Sequence, residues 1–356
     1  MKFKCFTEWN QLPQSSDALF SQAEKDSLLF SRAWFENLVT TALENDQSLM
    51  LACVIEDSED SEFSQNSNVL AILPLISCDN KEWTALNHLY TSLYTLLMVK
   101  SVQQKTQQKI LSCLAKGLSQ LPFESLKLNS LAADDDKLNN LQQAMESSGL
   151  SCVRYAHFFN WFHPLQGQTF TDYMASRPSR VRNTIARKQR KLEREHGYEI
   201  RLYTGSDVQQ AMTDFHAVYK ASWKMKERFA EVMEGFINRF SEMGWTRLAI
   251  LYIEGKPVAT QLWFVAHKKA SIFKLAYDEA WKQYSPGSIL TKYLMEIVID
   301  VDKAEEIDFL TGNDRYKQEW MSERRQRWRM VITHKCQPRR ERSIIGLIKN
   351  WLKSGE

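Results

Sequence analysis

Residues 276–290 read Ala-Tyr-Asp-Glu-Ala-Trp-Lys-Gln-Tyr-Ser-Pro-Gly-Ser-Ile-Leu, and this segment leaves a strand and enters a helix through a Pro-Gly-Ser turn. Free amides at such a helix start, together with the helix dipole, bind phosphate oxygens. Gly287 would let a ligand approach the backbone closely. An ordinary helix start capped by Ser285 or Ser288 explains the same residues. The segment alone therefore predicts a strand, a turn and a helix, and it leaves a phosphate site open.

The segments on both sides of 276–290 alternate between the hydrophobic periods of helices and strands. Upstream, a helical pattern precedes two apolar runs joined by the tight turn Glu-Gly-Lys-Pro at 254–257, which predicts a hairpin. Downstream, helices and strands alternate. We predict a helix at 228–243, strands at 247–253 and 258–266, a helix at 288–301, a strand at 306–310, a helix at 315–323 and a strand at 327–333.

The first half repeats this order of elements, although a long, acidic, serine-rich loop joins its hairpin. The predicted elements are a helix at 31–43, strands at 49–55 and 68–76, a helix at 103–118, a strand at 124–128, a helix at 137–148 and a strand at 151–159. Such repetition predicts two tandem copies of one α/β (α+β) unit, each a mixed, mainly antiparallel sheet flanked by helices. We place the units at 1–165 and 166–335, with the boundary near 164–169, and a tail at 336–356.

The composition is that of a globular protein. Of 356 residues, 44% are hydrophobic and 25% are charged, which excludes a wholly disordered chain. The net charge of +3 hides an asymmetry, with 12 basic against 19 acidic residues in 1–165 and 34 against 24 in 166–356. No apolar stretch approaches the roughly 20 residues of a membrane-spanning helix. Six cysteines without a CxxC pair fit reduced thiols, so we expect a cytoplasmic protein without disulfides.

Common catalytic signatures are missing from the sequence. It has no GxSxG, HExxH, Walker or GxGxxG motif, and its seven histidines are scattered. These absences exclude the usual serine hydrolases, zinc proteases, P-loop enzymes and Rossmann enzymes. We therefore expect no metal ion, and we expect the cysteines to be small core residues rather than nucleophiles.

A second informative segment is residues 307–320, Ile-Asp-Phe-Leu-Thr-Gly-Asn-Asp-Arg-Tyr-Lys-Gln-Glu-Trp, in which a strand ends at a Gly-Asn-Asp turn. The following helix presents Tyr316, Lys317 and Trp320 on adjoining turns. After the hairpin, the motifs Tyr-Asp, Ser-Pro-Gly-Ser-Ile-Leu, Asp-Phe-Leu-x-Gly and Tyr-Lys-x-x-Trp follow in order. In these motifs the chain resembles the CelD/FemAB-like branch of the GNAT acyltransferase superfamily, over about residues 170–335.

The resemblance implies tandem GNAT-like units, with the N-terminal one degenerate, and acyl transfer to an amine by direct attack. The implied donor is an acyl-CoA such as acetyl-CoA, used as a co-substrate, and the implied acceptor is an amino sugar or another envelope or polysaccharide precursor. A Fem-like aminoacyltransferase that uses charged tRNA is the alternative enzyme, and it would explain the glycine-poor turn before Ile289. A non-catalytic scaffold that binds a polyanion is the other alternative. It would be favoured if the predicted catalytic residues did not share one pocket.

Acyl transfer needs a positioned donor, a deprotonated amine, an oxyanion donor and a proton for the leaving group. A strand amide beside a splayed sheet can stabilise the oxyanion. Asp278 and Asp308 are candidate bases or amine anchors at the ends of neighbouring strands, although a role as turn caps explains them equally. Tyr284 and Tyr316 are candidate acids. The residues predicted to bind the donor are Ser285, Gly287, Ser288, Ile289 and Lys317, the last of which follows the family pattern and would otherwise be a solvated lysine.

Residues 177–194 contain eight basic residues and one acidic residue. Val181, Ile185 and Leu192 form a narrow apolar stripe, which predicts a helix that docks on one side and is strongly positive on the other. Its basic face is a solvated surface, a contact with the acidic first half, or a site for a polyanion such as a lipid-linked sugar phosphate, the CoA phosphates or tRNA. For the polyanion site, the predicted substrate-binding residues are Arg180, Arg187 and Lys188.

Two further segments bear on partners. Ser222-Trp223-Lys224, on a predicted helix at 208–226, matches the family pattern, and Trp223 and Lys224 suit an acceptor pocket, while a core position explains Trp223 equally. In the tail, a basic cluster precedes a helical apolar face at 344–352. That face would either pack on the protein or make peripheral contact with the inner face of the membrane.

Overall fold

The computed structural model describes residues 1–56, 67–100, 102–224 and 228–335. The strands within these ranges are β1 (Lys2–Phe6), β2 (Gln47–Ile55), β3 (Val69–Cys78), β4 (Glu82–Ala85), β5 (Leu97–Met98), β6 (Ser125–Ala132), β7 (Leu150–Pro164), β8 (Glu199–Tyr203), β9 (Thr246–Ile253), β10 (Lys256–Ala266), β11 (Lys269–Tyr277), β12 (Glu306–Thr311) and β13 (Glu323–His334). They form one sheet in the order β1-β2-β3-β4-β6-β13-β7-β12-β11-β10-β9-β8, and β5 pairs with β3.

The helices of the described residues flank this sheet. They are α1 (Ser15–Glu24), α2 (Arg32–Thr41), α3 (Gln104–Leu118), α4 (Asp136–Ser147), α5 (Phe170–Ser176), α6 (Ser179–Glu195), α7 (Val208–Ala221), α8 (Ala230–Glu242), α9 (Pro286–Glu296) and α10 (Arg315–Trp320). A 3₁₀ segment, Glu279–Tyr284, precedes α9, and a π-helical turn, Ile297–Val301, follows it. The predicted helices and strands are present, and the fold class is confirmed. We did not predict α1, α5, β1, β4, β5 and β8, whose sequence patterns are short or mixed.

Two predicted helices are too long at their C-terminal ends. The helix predicted at 208–226 ends at Ala221, because Ser222 is extended and its hydroxyl donates to the Tyr219 carbonyl at 2.8 Å. Trp223 and Lys224 therefore do not lie on a helix, and residues 225–227 lie outside the described residues. The helix predicted at 315–323 ends at Trp320, because the backbone becomes extended for β13. The predicted hairpin loop at 57–66 and the tail at 336–356 also lie outside the described residues.

The two halves have the same strand topology. In the first half, β1, β2, β3 and β4 pair antiparallel in succession, and β4 pairs parallel with β6. In the second half, β8, β9, β10 and β11 pair antiparallel in succession, and β11 pairs parallel with β12. This repetition agrees with the tandem units that the element order predicted.

The last strand of each half belongs to the sheet of the other half. β7 comes last in the first half but pairs with β12 of the second half, whereas β13 comes last in the second half and pairs with β6 of the first half. β7 and β13 also pair with each other, in antiparallel register from Leu150 opposite His334 to Phe162 opposite Glu323. The boundary at 165 stays a prediction, and the structure adds that backbone hydrogen bonds join the two units into one continuous sheet.

A wedge opens in the sheet of the second half. β11 and β12 pair only as far as Ser271 and Asp308 and then diverge, so the facing edges of both strands border a gap. In the first half, the corresponding gap between β4 and β6 holds Tyr94, which is fully buried and bridges to Leu131. The Tyr94 hydroxyl donates to the Pro74 carbonyl at 2.5 Å. The first unit has therefore filled the position at which the second unit has a cavity.

Helices α2 and α8, which precede equivalent hairpins, pack against each other between the halves. The Trp34 ring stacks on Phe236 with a 4.0 Å separation of ring centroids. The Asn37 amide donates to the Val232 carbonyl at 2.9 Å. Gly235 allows this approach, because a Cβ there would lie 1.9 Å from Asn37 Oδ1. A close-packed helix contact therefore joins the units in addition to the sheet.

The described residues contain no helix long and apolar enough to cross a membrane, and no cluster of His, Cys, Asp and Glu suited to a metal ion. Five cysteines in these ranges are free, and Cys336 lies outside them.

Candidate active site

The gap between β11 and β12 is the entrance to a cavity of about 540 Å³, which we call the wedge cavity. Its strand wall consists of Ile272, Phe273, Leu275, Phe309, Leu310 and Thr311. Asp314, Tyr316 and Lys317, at the start of α10, line a second side. Leu89 and Tyr90 of the first unit and the segment Trp223–Lys224 complete it. The cavity therefore lies between the units and has the size of an ordinary small-molecule site.

A bulge in β12 shapes this wall. The register against β7 shifts between Asp308 and Thr311, and Leu310 has a φ of 55° in the left-handed region. Such a backbone is costly for a bulky side chain and persists only when its surroundings hold it. Here the Leu310 amide donates to Asp308 Oδ1 at 2.5 Å, and the Asn160 amide donates both to Asp308 Oδ1, at 2.5 Å, and to the Leu310 carbonyl, at 2.9 Å.

Asp308 lies within β12, and neighbours already bind both of its oxygens. Arg325 on β13 donates to Asp308 Oδ2 at 2.6 Å and to Glu306 Oε1 at 2.9 Å. Burial lowers the pKa of the Arg325 guanidinium, but the two carboxylates outweigh burial and the net pKa is raised. These contacts indicate that Asp308 holds the bulge in place. Its role as a base stays a prediction.

Tyr316 presents its phenol in the wedge cavity. Its ring packs edge-to-face on Phe309, and its hydroxyl makes no hydrogen bond to any residue in the described ranges. Burial, followed by the charge of Asp314, raises the pKa of the Tyr316 phenol well above its ordinary value. The phenol therefore stays protonated at neutral pH and can donate a hydrogen bond to a ligand.

Lys317 and Asp314 form a pair next to this phenol. The Lys317 ammonium is buried and donates to the carbonyls of Thr311, at 2.5 Å, and Phe309, at 3.2 Å. Its Nζ lies 3.5 Å from Asp314 Oδ2, whose side chain is 66% exposed. Burial lowers the pKa of Lys317, and the charge of Asp314 opposes this shift. Asp314 was missed in the sequence because a Gly-Asn-Asp run also fits an ordinary turn.

Trp223 and Gly287 meet at a common neighbour, the Tyr277 ring. Trp223 lies 4.5 Å from Tyr277 between ring centroids, and a Cβ at Gly287 would lie 3.1 Å from Tyr277 Cδ1. Trp223 is 47% exposed, so its side chain is not part of the core. One aromatic layer therefore separates the wedge cavity from the start of α9.

The start of α9 offers few free backbone donors. Ser285 is left-handed, with a φ of 55°, and its carbonyl accepts the amides of Ser288, at 3.0 Å, and Ile289, at 3.2 Å. Pro286 has no amide hydrogen. Gly287 donates to no residue within the described ranges, and its carbonyl accepts the Gln261 amide at 2.8 Å. A phosphate at this turn would thus find one free amide, from Gly287.

Two more predicted catalytic residues, in addition to Asp308, lie outside the wedge cavity. Asp278 caps the 3₁₀ segment by accepting the Ala280 amide at 3.0 Å. The Tyr284 hydroxyl donates to Glu195 Oε2 at 2.9 Å and lies 3.0 Å from His196 Nε2, at the end of α6. The hydrogen bond to Glu195 raises the pKa of Tyr284. The four predicted catalytic residues therefore do not share one cavity, and Tyr316 is the one that lines this cavity.

The basic helix is α6, with Val181, Ile185 and Leu192 buried as predicted. Its Lys188 donates to the Gln283 carbonyl, so the helix borders the 3₁₀ segment. None of its residues lines the wedge cavity. Arg187 is exposed, and Arg180 is paired with Glu319. The structure thus places Trp223, Lys224, Tyr316 and Lys317 together at the cavity, and it places Arg180, Arg187 and Lys188 on a separate basic surface beside the start of α9.

Residues 179–318 match the family model of the acetyltransferase (GNAT) domain. This chain has a GNAT-type acyltransferase domain. The match includes α6, the wedge and the start of α10, and it confirms the resemblance found in the motifs.

Solved structures extend the likeness of fold to the whole chain. FemX is 11% identical with a TM-score of 0.60, over 92% of this chain and 96% of that chain. A C-terminal domain assigned to a lysylphosphatidylglycerol synthetase from Agrobacterium fabrum is 11% identical with a TM-score of 0.52, over 95% and 96%. L-PGS from Bacillus licheniformis is 10% identical with a TM-score of 0.51, over 96% and 98%. At these identities the likeness is one of fold alone. No curated protein matches the sequence.

Proposed function

We propose that this protein transfers an acyl group from an acyl-CoA to an amine by direct attack in the wedge cavity. The observation that supports this most is Tyr316, a protonated phenol without a described partner, in a cavity between diverging strands. Diverging strands leave backbone amides free to stabilise an oxyanion, which is usually the largest single contribution to catalysis. The first unit, whose gap holds Tyr94, is in this proposal the degenerate copy.

The reaction requires one nucleophilic attack and two proton transfers. The amine nitrogen attacks the thioester carbonyl carbon, and the oxygen of the tetrahedral intermediate accepts hydrogen bonds from the free edge of β11 beyond Ser271. The C–N bond forms, the C–S bond breaks, and the leaving thiolate takes the Tyr316 proton. The proton of the attacking amine passes to water or to Asp314, the carboxylate that lines the cavity, and a proton from the same source then returns to the Tyr316 phenolate and restores the enzyme.

The other predicted residues take supporting roles in this proposal. Asp308 holds the β12 bulge through Arg325, and Asp278 caps the segment before α9. Lys317 fixes the end of β12 and adds positive charge near the thioester. A non-catalytic scaffold was the alternative if the predicted catalytic residues lay apart. We retain an enzyme because a different set, Tyr316, Lys317 and Asp314, does meet in one cavity of a GNAT-type acyltransferase.

For the donor, we propose that the CoA phosphates bind the Gly287 amide and the basic surface of α6, near Lys188 and Arg187. The backbone of this turn offers the phosphates little else. The amides of Ser288 and Ile289 already donate to the Ser285 carbonyl, so these three residues shape the turn and do not donate backbone hydrogen bonds to the phosphates.

A second candidate donor is aminoacyl-tRNA. The single free amide at the start of α9 is a weak site for a pyrophosphate, while the exposed cations of α6 suit a nucleic acid backbone. This candidate leaves the chemistry in the wedge cavity unchanged and replaces only the carrier of the acyl group. Trp223 and Lys224 would bind the acceptor in both cases, and we propose an amine-bearing envelope or polysaccharide precursor.

Two binding measurements separate the donors. Isothermal titration with acetyl-CoA and longer acyl-CoA esters should show saturable binding that Gly287→Val weakens, since its side chain would press on Tyr277. The control is Ala156→Val, at an exposed position of β7 that does not line the cavity. Absence of binding by every acyl-CoA would overturn the coenzyme proposal. A gel shift with bulk tRNA, strong at low salt and steeply lost at high salt, would support the second candidate instead.

A further inference from the structure

A second cavity, of about 440 Å³, lies between α7 and α8, and we call it the helix cavity. Its walls are mainly apolar and come from both helices. The apolar lining residues are Phe215, Tyr219, Ala230, Met233 and Ile237. Three of them, Phe215, Met233 and Ile237, are less than 5% exposed, so their side chains form a floor that joins the hydrophobic core. An apolar cavity of this size is suited to an aliphatic group.

The rim of the helix cavity is positively charged. Lys220, Lys224 and Lys274 line it, together with His216 and Glu234, which face each other at 3.7 Å. Among the described residues that line the cavity, three ammonium groups stand against one carboxylate, which favours an anionic ligand and disfavours a cationic one. The same charge argues against the tail of this chain as the occupant, since the tail carries the basic residues Arg339, Arg340 and Arg342.

The helix cavity and the wedge cavity adjoin each other at two of these lysines. Lys224 lines both cavities. Lys274 lines the helix cavity, and its Nζ donates at 2.8 Å to the hydroxyl of Tyr90, which lines the wedge cavity. A molecule with its apolar part in the helix cavity would therefore have its polar part between these lysines, at the edge of the proposed reaction site.

We propose that the helix cavity binds the aliphatic chain of an anionic amphiphile, whose phosphate or carboxylate contacts Lys220, Lys224 and Lys274. Its role as the acceptor, with the amine reaching Tyr316 in the wedge cavity, rests on the proposed function. Binding of the aliphatic chain and of its anionic head group does not rest on that function. Each methylene buried in the cavity should strengthen binding about fourfold.

The test is isothermal titration of the full chain with octyl and decyl phosphate below their micelle concentrations. Decyl phosphate should bind about 16-fold more tightly than octyl phosphate, because two more methylenes are buried. Decyltrimethylammonium should not bind. Equal affinity for the two phosphates, or equal affinity for the cationic amphiphile, would overturn the proposal.

Variants locate the site. Ala230 is exposed at the start of α8 and lines the cavity, so Ala230→Trp should weaken decyl phosphate binding at least tenfold. Glu231→Trp, at the next exposed position, is the matched control and should bind as the wild type does. Lys220→Gln should weaken the binding of decyl phosphate but leave the ratio of the affinities for decyl and octyl phosphate unchanged. Equal binding by both tryptophan variants would place the ligand elsewhere and overturn the proposal.

Two further arms separate this proposal from its alternatives. If Ile348→Asp in the tail strengthens decyl phosphate binding tenfold, the cavity holds the chain's own tail and the proposal is wrong. Titration of the same variants with acetyl-CoA tests the donor independently. Binding of decyl phosphate without binding of acetyl-CoA supports the helix cavity and contradicts the CoA donor, whereas the reverse result contradicts the helix cavity alone.

Discussion

Tyr316 is the residue on which the proposed chemistry depends most directly. Tyr316→Phe removes only the phenol oxygen and should lower kcat by about 10²–10⁴-fold, the usual contribution of a general acid. Donor affinity should stay unchanged, because the aromatic ring still packs on Phe309. Steady-state rates and acyl-CoA titrations on the same preparation measure both quantities.

The matched control for this substitution is Tyr155→Phe, at a tyrosine that is 54% exposed on β7. It should change neither rate nor affinity. If the Tyr316→Phe enzyme keeps more than half of the wild-type kcat, Tyr316 is not the general acid.

Lys317 should contribute to stability as well as to the site. Lys317→Met leaves the carbonyls of Phe309 and Thr311 without their donor and should lower the free energy of unfolding by about 1–3 kcal/mol. Urea unfolding measures this difference. Lys282→Met, at an exposed lysine, is the control and should lie within about 0.5 kcal/mol of the wild type. Equal stabilities of the two variants would show that Lys317 has no structural role.

The lowered pKa of Lys317 also predicts a pH dependence. Between this lowered pKa and the ordinary value of 10.5, the unfolded chain binds the lysine proton and the folded chain does not. The unfolding free energy should therefore contain a contribution that rises with pH across this window. Lys317→Met should remove that contribution, so the difference between the two proteins grows toward alkaline pH. A difference in unfolding free energy that stays constant from pH 7 to pH 10 would contradict this prediction.

At the residue scale, sequence motifs identified part of the site. Tyr316, Lys317, Trp223 and Lys224 were singled out and lie together, because the motifs that carry the family resemblance surround one cavity. Asp308 is a candidate base, amine anchor or turn cap in the sequence, where a carboxylate at the end of a strand has no visible partner. Its partner, Arg325, comes from β13, and the sequence predicts a strand at 327–333 without indicating which strands it pairs with.

At the element scale, the contact between α2 and α8 depends on Gly235. Gly235→Ala places a methyl group against the Asn37 side chain, whose Oδ1 lies 1.9 Å from the Cβ position. The helices must separate or Asn37 must leave the Val232 carbonyl, so we expect a loss of about 1–3 kcal/mol. Glu231→Ala, on an exposed face of the same helix, is the control. Thermal unfolding of both variants decides the point, and a Gly235→Ala protein as stable as the control would contradict the close contact.

The paired elements were largely predictable, and their pairing across the units was not. Hydrophobic period and turn chemistry located the β9–β10 hairpin and the helical stripe of α6, because both are local. The exchange of β7 and β13 is not local, since a strand with the same alternation can pair with either neighbour. The β12 bulge at Leu310 was equally invisible, because a leucine gives no sign of a left-handed backbone.

At the scale of the whole molecule, the strand exchange predicts that the units do not separate at residue 165. A fragment of residues 166–335 lacks β7, the neighbour of both β12 and β13, and should not unfold cooperatively. A fragment of residues 150–335 restores that strand and should regain cooperative unfolding by circular dichroism. If the shorter fragment unfolds as cooperatively as the longer one, the predicted boundary at 165 also separates two independent folding units.

The two units differ in the features on which the proposed function depends. The first unit holds Tyr94 in its gap and has an acidic sequence, while the second has the wedge cavity, the start of α9 and the basic α6. We expect donor and acceptor chemistry to depend on the second unit, with the first contributing a wall through Leu89 and Tyr90. The total charge of +3 conceals this division.

The most direct test of acyl transfer to an amine measures free thiol released from acetyl-CoA in the presence of amino-sugar phosphates, alongside mass spectrometry of the acceptor. The wild type should form one N-acetylated amine for each thiol released, and Tyr316→Phe should react about 10²–10⁴-fold more slowly. Acylation of the amine from charged tRNA, without thiol release from any acyl-CoA, would contradict the CoA donor. Equal product formation by the wild type and Tyr316→Phe would contradict the wedge cavity as the reaction site.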